Sequence, residues 1–123
     1  MAKKVLLIED SPLDAAIAKE FLEKEGLEVD VAMTGEEGLE KSRRMKPDLI
    51  LVDLALPGID GFEVCARLKK EARLRDTIVV VLSVKDDREE ITRAFDAGAD
   101  DYIIKIPRQE FLAKKIKLYL SGK

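Results

Sequence analysis

Four apolar runs in this chain each end in a polar residue, and the end residues complement one another. Val5-Leu6-Leu7-Ile8 stops at Glu9-Asp10, and Leu49-Ile50-Leu51-Val52 stops at Asp53. Ile78-Val79-Val80-Val81-Leu82 stops at Ser83, and Tyr102-Ile103-Ile104 stops at Lys105. If the runs are parallel strands of one sheet, these groups gather at its carboxyl edge, where open α/β sheets bind ligands. Carboxylates, a hydroxyl and an ammonium in one crevice can hold a hard cation and a phosphoryl group.

The residue types that are missing narrow the chemistry further. The chain has no histidine. That removes a Ser-His-Asp triad, a histidine-based zinc site and a phosphohistidine intermediate. A single cysteine, Cys65, allows neither an internal disulfide nor a thiolate metal cage. It falls in a helical pattern and reads as a buried structural thiol. Carboxylate, hydroxyl and amine are the main reactive groups left.

The 123 residues suffice for one domain with its own core, and the reading is a single domain over 1–123. No apolar run approaches the roughly 20 residues of a membrane span, and Met-Ala-Lys-Lys leads straight into a strand-like run with no signal-peptide pattern. The expectation is a cytoplasmic protein with no membrane contact. A net charge of −3 argues against nucleic acid as a direct partner. Lys114, Lys115 and Lys117 cluster, which reads as a solvated helix face.

Strand-like runs alternate with amphipathic stretches in a (βα)5 pattern. The first strand is predicted over about Lys4 to Glu9. Ser11 can cap a helix with Pro12 at its first position, and Gly26 closes that helix. Glu28 to Met33 alternates apolar and polar residues, as an edge strand does. Thr34-Gly35-Glu36-Glu37 reads as a capping box for the second helix. Asp48 to Asp53 and Thr77 to Leu82 are nearly all apolar, as central parallel strands should be. The third helix is predicted from Gly61 to about Glu71, with Phe62, Cys65, Ala66 and Leu68 inward. A fourth, capped by Asp86 or Asp87, ends near Gly98. The fifth strand lies within Ala99 to Lys105, and a last helix spans Arg108 to Leu120 with Phe111, Leu112, Ile116 and Leu120 inward. Right-handed crossovers with the second strand at an edge give the order 2-1-3-4-5, a flavodoxin-like doubly wound parallel α/β sheet.

The segments Leu7-Ile8-Glu9-Asp10-Ser11, Leu51 to Gly61, Val81-Leu82-Ser83 and Gly98 to Lys105, in this order and spacing, resemble the receiver domain of bacterial two-component response regulators. The resemblance covers essentially the whole chain. It implies a signalling module rather than an enzyme, one that takes a phosphoryl group from a histidine kinase or phosphotransfer protein onto Asp53 with Mg²⁺. It implies Glu9 and Asp10 as the acidic metal pair and the Ala55 backbone carbonyl as a further ligand. Ser83 matches the switch hydroxyl, Lys105 the site lysine and Tyr102 the aromatic switch. Ala55 and Lys85 match positions that often tune phosphoryl lifetime. The fifth strand and final helix, with Tyr102, Lys105, Arg108 and Lys115, become the expected docking face for a downstream output domain or protein, or for a second copy.

Physical chemistry supports these roles. Neighbouring carboxylates repel and raise one another's pKa, and a divalent cation relieves the repulsion. A carboxylate so placed can act as a nucleophile and form an acyl phosphate. Phosphoryl transfer then needs positioning and charge neutralisation more than covalent help.

Two positions depart from the family pattern. Lys105 is followed by Ile106-Pro107 where proline usually comes directly, and a cis Lys105-Ile106 bond would cost about 2.5–4 kcal/mol. Val84 stands where a small residue is common, and its bulk could narrow access to Asp53. These departures leave a second reading, a pseudo-receiver that docks partners without being phosphorylated. A flavin-binding protein is disfavoured because the loop after the first strand is acidic and would repel phosphate. A haloacid-dehalogenase-like phosphatase would need a second aspartate at position 12, where the chain has proline.

Overall fold

The computed structural model describes residues 2–105 and 109–121. Its elements are β1 (Lys4–Ile8), α1 (Pro12–Lys24), β2 (Glu28–Ala32), α2 (Gly35–Met45) and β3 (Leu49–Asp53). There follow α3 (Gly61–Lys70), a short 3₁₀ turn at Ala72–Leu74, β4 (Ile78–Ser83), α4 (Arg88–Asp96), β5 (Asp101–Ile104) and α5 (Gln109–Ser121). The strands form one parallel sheet in the order β2-β1-β3-β4-β5, the expected flavodoxin-like arrangement. Among the described residues, no helix is long and apolar enough to cross a membrane.

Every residue of β3 and β4 is buried, which is why both runs carry almost nothing polar before their last residue. Side chains alternate across the sheet. Val5, Leu7, Leu49, Leu51, Val80 and Leu82 pack with α1 and α5, while Leu6, Ile8, Ile50, Val52, Val79 and Val81 pack on the other face. Each face buries its own core, so the sheet is clamped from both sides.

Local signals explain the helix ends. Ser11 accepts the Asp14 N–H with Pro12 at the first helical position. At the other end Gly26, at φ +85°, lets the Gly26 and Leu27 amides return to the Glu23 and Leu22 carbonyls. Thr34 accepts the Glu37 N–H at 3.1 Å, while Glu37 reaches back to the Met33 N–H at 2.6 Å, one residue beyond the usual box. Of the two candidate caps for α4, Asp87 is the one used, taking the Glu90 N–H at 2.7 Å.

Some expectations shift. Ser83 belongs to β4, whose pairing with β5 runs through Ser83 and Ile104. Phe111 does not point inward: it is 52% exposed. The buried stripe of α5 is Leu112, Ala113, Ile116 and Leu120, and Phe111 lies off that stripe, near Lys115 and Leu118 at helical spacing. Ile106, Pro107 and Arg108, including the peptide bonds into Ile106 and Pro107, lie outside the described residues.

Cys65 is fully buried, and burial pushes its thiol up to about 12. The native thiol is therefore expected to resist alkylation and to react freely once urea unfolds the chain; equal rates in both states would refute the burial. Because the folded value exceeds the ordinary 9.0, the stability this thiol contributes is complete below pH 9.0 and fades as pH rises toward about 12.

Gly61 has a different constraint. A Cβ there would meet the Asp53 carbonyl oxygen and the Leu54 Cα at 2.7 Å each, both backbone atoms. Gly61→Ala is expected to lower the unfolding free energy by about 1–3 kcal/mol in urea titration. An unchanged midpoint would mean that the loop between β3 and α3 yields freely.

Candidate functional site

Register puts the polar strand ends together. Ile8 pairs with Val52, so Glu9 follows beside Asp53, and the Glu9 N–H is held by the Ala32 carbonyl at 2.9 Å. Asp53 is level with Leu82, Ser83 with Ile104, and the Lys105 N–H extends that ladder to the Ser83 carbonyl at 2.6 Å. The result is one crevice at the carboxyl edge, as the strand ends predict.

Carboxylate oxygens of Glu9, Asp10 and Asp53 lie within 4.8 Å of one another. Glu9 and Asp53 are buried and Asp10 is exposed. The donors are all oxygens, and the cluster is open to water on the Asp10 side, which suits a hard cation that keeps part of its hydration shell. The Lys105 ammonium stands between the two buried members, 3.0 Å from Glu9 and 2.7 Å from Asp53. Backbone amides complete the support. The Ala55 N–H donates to Asp53 Oδ1 at 3.0 Å, and the Ser11 N–H to Glu9 Oε2 at 3.2 Å.

These contacts set the charge balance. Burial raises the Glu9 pKa above its ordinary value; the Lys105 hydrogen bond pulls it down, but the nearby Asp53 charge adds to the rise. Burial alone would lower the Lys105 pKa, yet its bonds to Asp53 and Glu9 outweigh that and hold it above the ordinary lysine value. These bonds thus favour the charged lysine, while at Glu9 burial and the Asp53 charge still outweigh the pull of Lys105.

Ser83 is buried at the end of β4, where its Oγ accepts the Lys85 N–H at 3.1 Å. Its hydroxyl donates to Glu90 Oε1 on α4 at 3.3 Å. Tyr102 is half-buried and donates its hydroxyl to the Lys85 carbonyl at 2.8 Å, tying β5 to the loop after β4. Burial raises the phenol pKa, the Ser83 contact opposes this, and the negative Glu90, Asp87 and Asp86 reinforce it. Ala55 is exposed, so its small side chain leaves the mouth of the crevice open. Val84 is 76% exposed, with most of its bulk turned to solvent.

The structure therefore brings together Glu9, Asp10, Asp53 and Lys105, and places Ser83 and Tyr102 on a linked second network. Glu90 is the member the sequence reading missed. Its only sequence signal is its place, third in a helix capped by Asp87 and seven residues after Ser83.

Replacing Lys105 by Met tests the charge balance. A raised lysine pKa means stabilisation that is complete below the ordinary 10.5 and lost as pH climbs through the folded value. The raised Glu9 pKa likewise favours the protonated form, so its contribution is complete below 4.5 and lost as pH rises. Lys105→Met is thus expected to destabilise by about 1–3 kcal/mol near pH 7 and by less near pH 4, where Glu9 can take up a proton. Urea unfolding at the two pH values measures this, and an equal loss at both would contradict it.

Known proteins resemble this chain in sequence and in fold. The family model described as the response regulator receiver domain matches residues 5–117. Protein PilH of Pseudomonas aeruginosa is 33% identical over 119 residues, covering 97% of this chain and 98% of PilH. The phosphate regulon transcriptional regulatory protein PhoB of Klebsiella pneumoniae is 34% identical over 117 residues, and the chain spans 51% of its length. Among solved structures, the signal receiver domain of a signal transduction histidine kinase from Syntrophus aciditrophicus superposes with a TM-score of 0.88 at 35% identity. That match covers 98% of this chain and 92% of the other.

Proposed function

We propose that this chain, which belongs to the response regulator receiver domain family, accepts a phosphoryl group on Asp53 and transmits the added charge to the face formed by β4, β5 and α5. Receiver domains are signalling modules that interact with histidine kinases and output domains. On this reading residues 1–123 act as one receiver unit in the cytoplasm. The donor is the phosphohistidine of a kinase or phosphotransfer protein, and the chain's lack of histidine fits that division of labour.

The observation that carries the proposal is the setting of the Asp53 carboxylate. One oxygen is held by the Ala55 amide and the other by the Lys105 ammonium, beside two further carboxylates. In the transfer a carboxylate oxygen of Asp53 attacks phosphorus and a P–O bond forms. The P–N bond to the donor imidazole breaks, and its electron pair stays on the ring nitrogen. Lys105 offsets charge on the transferred oxygens, and Ser83 can donate its hydroxyl to one of them.

Glu9, Asp10 and Asp53 would hold Mg²⁺, with the Ala55 backbone carbonyl as a further ligand. When bound, the ion neutralises charge among the carboxylates and on the phosphoryl group. This family of roles makes the domain a signalling acceptor rather than an enzyme with an external product. The face that would report the event exposes Ile104 and Phe111, and Phe95 of the adjoining α4 lines the same cavity, apolar area suited to an output partner or to a second copy.

Intact-protein mass spectrometry after incubation with acetyl phosphate tests the acceptor chemistry. A gain of one phosphoryl mass is expected with Mg²⁺, none without it, and none in Asp53→Asn. If neither acetyl phosphate nor a panel of phosphorylated histidine kinases and phosphotransfer proteins adds the phosphoryl, the acceptor reading is wrong and the pseudo-receiver reading takes its place.

A further inference from the structure

A serine hydroxyl carries one proton and can donate it to one acceptor at a time. In this chain the Ser83 proton already has an acceptor, the Glu90 carboxylate on the first turn of α4. Resting on the phosphoacceptor reading above, we infer that Glu90 is a positioning residue that holds Ser83 in the resting state by competing with the phosphoryl group for that proton.

Several observations converge on Glu90. Its side chain is only 15% exposed, although it belongs to the exposed first turn of a surface helix. Asp87 caps that turn by taking the Glu90 N–H, so the carboxylate is not needed as a cap and is free to face β4. One oxygen accepts from Ser83 at 3.3 Å; the other lies 3.7 Å from the Lys85 ammonium. Lys85 is in turn fixed from two sides. Its N–H donates to Ser83 Oγ, and its carbonyl accepts the Tyr102 hydroxyl. Ser83, Lys85, Glu90 and Tyr102 therefore form one closed network joining β4, the following loop, α4 and β5.

When Ser83 turns its proton to a phosphoryl oxygen, Glu90 loses its donor. A half-buried carboxylate without that bond is disfavoured, so the first turn of α4 must readjust toward water or toward Lys85. Glu90 thus opposes the active arrangement and transmits it. Without the carboxylate, Ser83 is released in advance and the active population rises at no expense of binding energy.

The test uses beryllofluoride with Mg²⁺ as a phosphoryl analogue and follows binding by NMR on the full chain. Glu90→Ala is expected to bind about three- to tenfold more tightly than the wild type, the range for losing one charge-assisted hydrogen bond that is long and partly exposed. Glu90→Gln, which keeps the shape and a weaker acceptor, should fall between them and guards against a folding defect. In a Ser83→Ala background the effect of Glu90→Ala should vanish, because the proton being contested is gone.

Without the analogue, Ser83 Hα–Hβ couplings should show one rotamer in the wild type and averaging in Glu90→Ala. Unchanged or weaker binding in Glu90→Ala overturns the inference. So does a gain that persists in the Ser83→Ala background, which would reduce Glu90 to a distant negative charge. A wild type that binds no beryllofluoride removes the acceptor reading itself, and the latch falls with it. A wild type that binds while the variants behave alike removes the latch alone.

Discussion

One ammonium between two buried carboxylates is the interaction on which the rest of this structure depends. Glu9 directly follows β1 and Asp53 ends its neighbour β3, and at both sites burial disfavours charge. Neither can be replaced by an apolar residue without losing the site, so the fold must bring a cation to them. Lys105 directly follows β5, and β4 lies between β5 and β3. Asp53 is level with Leu82, and Leu82 with Ile103, so the Lys105 backbone lies two residues beyond Asp53. That is roughly 6–7 Å along a strand. The four-carbon stem of lysine covers the offset; a shorter cation would not. The order β2-β1-β3-β4-β5 is thus a condition of the chemistry as well as a way of covering both sheet faces.

The same economy of space explains the loop after β3. Asp53 must end a strand and at once meet a turn, with α3 starting close beneath it. Leu54 supports this turn from both directions, donating to the Leu82 carbonyl and accepting the Leu56 and Gly61 amides. Gly61 is the residue that lets α3 approach the Asp53 carbonyl so closely. The Asp53 carboxylate is therefore fixed by backbone on one side and by Lys105 on the other. A reacting group needs such fixed geometry, because small misplacements are expensive in transfer rate.

The fold was legible in the sequence because each of its signals is local. An apolar run that ends in a charge marks a strand and its carboxyl end together, so Asp53 and Lys105 could be placed from their neighbours alone. Caps such as Ser11 and Thr34 mark helix starts in the same way. What escaped depends on orientation about a helix axis or on contacts between distant segments. Phe111 follows its neighbours in hydrophobicity, but one step of about 100° carries it off the buried stripe that Leu112 begins. Val84 had the right position to obstruct the crevice, yet its side chain turns to solvent. Glu90 looked like one more acidic residue in a charged first turn. Only the packing of α4 against β5 and α3 aims its carboxylate at Ser83.

Two networks thus meet at the end of the sheet and differ in how firmly they are held. The first sets one ammonium, Lys105, between the Glu9 and Asp53 carboxyl groups, and its Lys105–Asp53 contact is short, at 2.7 Å. The second, Ser83 with Glu90 and Lys85, hangs on a 3.3 Å hydrogen bond and a 3.7 Å ion pair, the weaker end of both ranges. A signalling domain needs that inequality. In the proposed function Asp53 would keep its geometry in both states, which bonds that are hard to break would serve. The proposed switch would change partners when one group is added, which bonds close in free energy to the alternative would serve. Tyr102 belongs to the second network through the Lys85 carbonyl, and its ring packs with the core cluster that includes Ala94 of α4 and Ala99. On the proposed function, a change at the Ser83 proton would pass through these weak, exchangeable bonds to Lys85 and Tyr102, and so to the packed side of β5.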